Sequence, residues 1–157
     1  MTEDARFEDA REAPLNLGAL EPEDLQVISA LVQDAIVPLK EMRFLKQERR
    51  FALLVNRFRW EDGGRDRHGA ERVQSMLVFE NVLGVAGQGI SREDPETILS
   101  ILSVDFTPDA EPPGGTLVLT LAGDGAIRLT LEALEVRLRD VTRPYRAPSG
   151  KAPDHGV

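Results

Sequence analysis

The chain has 157 residues, with 19 Lys or Arg against 27 Asp or Glu, a formal charge of −8. That length suits one domain with loose ends, and an apolar fraction of 41% is enough for a packed core. The lack of cysteine excludes disulfides, thiolate zinc sites and thiol nucleophiles, no apolar run approaches the roughly 20 residues of a membrane-spanning helix, and the acidic balance opposes general adhesion to DNA or anionic lipid.

Residues 1–20 are acidic, contain Pro14 and Gly18, and have neither the basic start nor the apolar stretch of a secretion signal. They read as a flexible arm of a cytoplasmic protein, with Leu15, Leu17 and Leu20 available to dock on the body. A single globular domain is expected over 21–142. Its first segment leaves two readings open. Ile28, Leu31, Val32, Ala35 and Ile36 recur at helical spacing behind Pro22, Glu23 and Asp24, which suit a helix start. Leu25, Val27, Ser29, Leu31, Gln33, Ala35 and Val37 also alternate as a strand would.

Beyond residue 41 the signals favour strands. Residues 42–45 and 50–60 flank a hairpin turn at 46–49. In the second run Phe51, Leu53 and Val55 face one way, while Ala52, Leu54, Asn56, Phe58 and Trp60 face the other. A strand apolar on both faces belongs in the middle of a sheet. Residues 61–70 form a polar, Gly-rich loop. Residues 72–86 read as one strand, because Gly84 is costly inside a helix. Another strand follows over 97–106, then a Pro- and Gly-rich loop over 107–115. Residues 116–121 and 126–131 flank Gly123, Asp124 and Gly125, a strong hairpin signal. Over 132–141, Leu134, Val136 and Leu138 alternate with Glu135, Arg137 and Arg139, as in a strand continuing the hairpin past a bulge. A short closing helix is the alternative. Residues 143–157, with three prolines and two glycines, read as a disordered tail.

A weak echo runs through 31–37, 77–83 and 129–135. Each has Leu first, Val or Thr second, an acid fourth and an apolar residue sixth. If it marks duplicated β units, the first copy is also a strand. Residues 25–35, 48–58 and 125–140 resemble segments of a bacterial family known only as a domain of unknown function. The resemblance spans roughly 20–141 and implies no activity and no functional residue.

The chemistry-bearing residues are few. His68 lies in the Gly-rich loop and His155 in the tail, where nothing holds an imidazole rigidly enough for a triad. Ser91 to Asp94 and Asp105 to Asp109 are too thin for calcium or magnesium. Neither a metal nor a cofactor is expected, and no catalytic residue is assigned. Gly84, Gly87 and Gly89 are followed by acids rather than by Lys and a helix start, so they mark a strand end and not a phosphate loop. Glu80, Asp105, Glu132 and Glu135 leave room for a paired-carboxylate pocket.

Charge is most uneven between Lys40 and Arg67, with nine basic residues against five acids. On a strand, Arg49, Arg57 and Arg59 share a face, Trp60 lies opposite, and Arg65 and Arg67 follow on the loop. Together they form the candidate anion- or partner-binding set. The opposing reading is that these charges guard an apolar strand and pair with surplus acids.

The expected fold is mainly β, a strongly bent antiparallel sheet or small barrel built of hairpins with at most one or two short helices; α+β is the alternative. The expected function is a small non-enzymatic binding or protein-interaction module, working through a sheet face or edge as a homodimer or with a protein partner. The runner-up is a small-ligand binder or enzyme with a carboxylate- or Arg-lined pocket. The third is single-stranded nucleic-acid binding on the Arg and Trp60 face.

Overall fold

Side-chain alternation decides which face each strand buries. In the computed structural model, which describes residues 14–59, 71–91, 93–141 and 145–146, Leu117, Leu119 and Leu121 point inward while Thr116, Val118 and Thr120 point outward. The same rule places Phe51, Leu53 and Val55, then Leu77 and Phe79, then Ile127, Leu129 and Leu131 in one buried cluster. Each fully buried Leu or Phe contributes about 1.5–3 kcal/mol against the exposed state.

The elements run β1 (Asn16–Ala19), α1 (Pro22–Leu31), β2 (Ile36–Pro38), β3 (Met42–Leu45), β4 (Arg50–Phe58), β5 (Glu71–Phe79), β6 (Val82–Gln88), β7 (Ile98–Pro108), β8 (Gly115–Leu121), β9 (Gly125–Leu131), β10 (Val136–Asp140) and β11 (Tyr145–Arg146). Every strand pair is antiparallel. The order is β1-β10-β5-β4-β2-β7-β8-β9-β6, with β3 added to β4 and β11 to β5. Among the described residues the fold is therefore mainly β, with one α-helix, and the sheet does not close into a barrel.

The ambiguous segment 21–37 resolves into both readings in turn. Pro22, Glu23 and Asp24 open α1, which buries Leu25, Ile28, Ser29 and Leu31. Ser29 Oγ accepts a hydrogen bond of 2.9 Å from the Val104 amide, docking the helix on β7. Asp34, at φ 66°, turns the chain, and its amide donates to the Ile101 carbonyl at 2.8 Å. The three residues of β2 then bridge β4 and β7. The first copy of the echo is thus a helix end and a turn before it is a strand.

Residues 72–86, read as one strand, are two. Glu80 and Asn81 interrupt them, and on the facing run residues 132–135 separate β9 from β10. Since β5 pairs with β10 and β6 with β9, both runs bend at the same place. The Glu80 amide donates to the Glu135 carbonyl at 2.9 Å and the Glu132 amide to the Asn81 carbonyl at 2.8 Å. Asn81, at φ 59°, also donates from Nδ2 to the Ala133 carbonyl at 3.3 Å. Two residues facing four make a bulged corner that folds the sheet onto its own core. The second and third copies of the echo lie opposite each other here. The run 132–141 is a strand past a bulge, not a closing helix.

The folded body begins before residue 21. β1 pairs with β10, Ala19 is buried, and Leu15 and Leu17 pack on the core, while Leu20 stays exposed. At the other end, Tyr145 and Arg146 pair with Arg72 and Glu71 inside the stretch read as a tail. The rest of the arm, Trp60 with the loop 61–70, and 147–157 lie outside the described residues.

Candidate functional site

The candidate arginines fall into two groups at opposite ends of β4. Arg49 is not on the strand face. It occupies the left-handed turn before β4, at φ 56°, and its Nη1 meets Glu132 Oε1 at 2.9 Å. Arg50 starts the strand, with Nε 3.1 Å from both carboxylate oxygens of Glu80. Those two acids are the fourth residues of the second and third echo copies, so the arginines clamp the corner from outside.

At the far end, Arg57 follows Phe51, Leu53 and Val55 on the inward face and is fully buried. Its Nε donates to Ser75 Oγ at 3.0 Å, Nη1 to the Phe58 carbonyl at 3.1 Å, and Nη2 to Asp140 Oδ1 at 2.9 Å. Ser75 Oγ donates in turn to Asp140 Oδ1 at 2.7 Å, and Asp140 Oδ2 accepts the Leu15 amide at 2.8 Å. A guanidinium needs this many acceptors once water is removed. The network ties β4, β5 and β10 to the lead into β1. Arg59 is buried as well. Arg72, which the sequence did not single out, is buried with its guanidinium 4.5 Å from the Phe58 ring centre, and its Nε donates to Asn56 Oδ1 at 2.6 Å. Trp60, Arg65 and Arg67 lie outside the described residues.

A different feature stands out between β3 and β6. Among the described residues β3 pairs only with β4, and β6 only with β9. The Val82 amide donates to the Arg49 carbonyl at 2.9 Å and closes the gap at one end. Beyond that stitch lies a cleft of about 420 Å³, with Met42 and Phe44 on one wall, Val85, Gly87 and Ile90 on the other, and the buried Phe51 and Ile127 among its lining. Leu39 completes the lining, and among the described residues no ionisable side chain belongs to it. Met42 and Phe44 alternate with Arg43 and Leu45, so the apolar face of β3 was visible in the sequence. That no other described strand lies beside its outer edge was not, because strand neighbours are set by topology.

Glu80 and Glu132 are each held by an arginine, and Asp105 is exposed on β7. No group of three potential metal ligands exists among the described residues. No helix there is long and apolar enough to cross a membrane.

A family model described as "Protein of unknown function (DUF2948)" matches residues 15–155. The chain belongs to that family. No curated protein and no solved structure matches it. The DUF2948 match spans every strand from β1 to β11, so the corner, the Arg57 network and the cleft all lie within the family domain.

Proposed function

We propose that this protein is a non-enzymatic, cytoplasmic interaction module that takes an extended polypeptide segment along β6, with apolar side chains of the segment entering the cleft. The observation that carries this reading is the cleft between two strand edges. Strand addition needs a row of backbone groups for affinity and adjacent pockets for alternate side chains. The β6 edge supplies the first and the cleft the second. Val82 to Gln88 contains no charge and no proline, the usual guards of an exposed edge. A lining whose described residues carry no ionisable group suits aliphatic side chains better than a polar substrate.

A random dodecapeptide library displayed on phage tests the reading. Enriched peptides should alternate apolar and polar residues, shift the amide resonances of 42–45 and 82–88, and lose binding to a Val85→Asp variant that still melts cooperatively. Enrichment of nothing, or equal binding to Val85→Asp, overturns it. Fractionation of cells expressing the tagged chain tests the cytoplasmic placement.

A further inference from the structure

On the sheet face opposite the cleft, β10 presents Arg137 and Arg139 outward, while Val136, Leu138 and Asp140 point into the body. The two arginines are alternate residues of one strand, so their Cα atoms lie about 6.6 Å apart. Arg137 stands between Val78 of β5 and Gly18 of β1, and Arg139 between Met76 and Asn16. They border a depression of about 290 Å³ floored by Met76 and Val78. Both are exposed, and neither has an ion-pair partner among the described residues. Among the described residues the one carboxylate lining the depression, Glu80, is held by Arg50 through both oxygens.

We propose that this face binds a short, extended acidic polypeptide segment, two of whose carboxylates at alternate positions meet Arg137 and Arg139. Same-side residues of an extended segment also repeat at about 6.6 Å, so one carboxylate falls on each guanidinium without bending either chain. Gly18 and Asn16 are small enough to leave a shelf for the segment's backbone, and Met76 and Val78 receive its aliphatic stems. The surroundings limit the length of the partner. Glu21, Asp24 and Glu135 line the adjoining depression, which Arg137 also borders from its other side. A long polyanion such as a nucleic acid runs into these acids, whereas a segment with two or three carboxylates ends before them. Among the described residues no aromatic side chain lines the depression, so none there offers the stacking platform that single strands use. This surface is separate from the cleft, and the two proposals stand or fall independently.

The test uses the full chain and a fluorescein-labelled peptide alternating Glu and Val. Fluorescence anisotropy should show binding that weakens as salt rises from about 50 to 200 mM. The R137Q/R139Q double variant should lose about tenfold in affinity, the scale of two exposed ion pairs, while R128Q, altered on β9, keeps it. Unchanged melting of the variants shows that the loss is at the surface. Equal binding by R137Q/R139Q overturns the proposal. So does an equal loss in R128Q, which marks unspecific charge, or tighter binding of an oligothymidylate of matched charge.

Discussion

The two ends of β4 carry the same kinds of residue in opposite environments. At its start Arg49 and Arg50 hold Glu132 and Glu80, with the Arg49 and Glu132 side chains more than half exposed. At its finish Arg57 and Asp140 are both out of contact with water. An arginine–carboxylate distance therefore says little until burial is known, since both pairs include a contact of 2.9 Å. In water the attraction is screened and ordering two long side chains offsets most of it. In the interior, either partner left alone is a desolvated charge with nothing to balance it.

The largest expected effect follows from that asymmetry. Arg57→Ala, or Asp140→Ala, should each destabilise by about 3–5 kcal/mol in urea unfolding. The double variant Arg57→Met with Asp140→Leu should recover most of the loss, because no lone charge stays buried. A single-variant loss below about 1 kcal/mol erases the contrast between the ends of the strand. Ser75→Ala removes a shared donor and acceptor from the same network and should cost about 1–3 kcal/mol, read in the same way. At the corner, Asn81→Ala puts an ordinary side chain at φ 59° and removes the bond to Ala133; a loss of about 1–2 kcal/mol is expected, partly restored by Asn81→Gly. The smallest change belongs to Arg49→Ala, below about 1 kcal/mol and vanishing in high salt. An Arg49→Ala effect as large as that of Arg57→Ala would show that exposure is not what separates the two pairs.

Local patterns carried much of the architecture. The hairpin of β8 and β9 was legible because its turn chemistry is contained in a few residues, with Gly123 at φ 81° and Asp124 at φ 68°. β10 was legible as a strand past a bulge because alternation survives the corner. The segment 25–37 was not, since its apolar residues satisfy both periods and only docking on β7 and pairing between β4 and β7 separated helix from strand. The inward turn of Arg57 was hidden for a related reason. Its parity matched Phe51, Leu53 and Val55, but its acceptors sit on β5 and β10, far along the chain. The cleft was hidden too, because its walls come from β3 and β6, which do not pair.

What the amino-acid order determined by itself was a mainly β chain with its strongest turn near Asp124, its apolar faces and its uneven charge, all consequences of backbone preference and side-chain alternation acting over a few residues. Only the tertiary structure decided where the corner falls, which arginines leave water and which strand edges lack a partner among the described residues. Those outcomes depend on neighbours brought from distant parts of the chain, and burial by such neighbours sets both the worth of a charge and the reach of a surface.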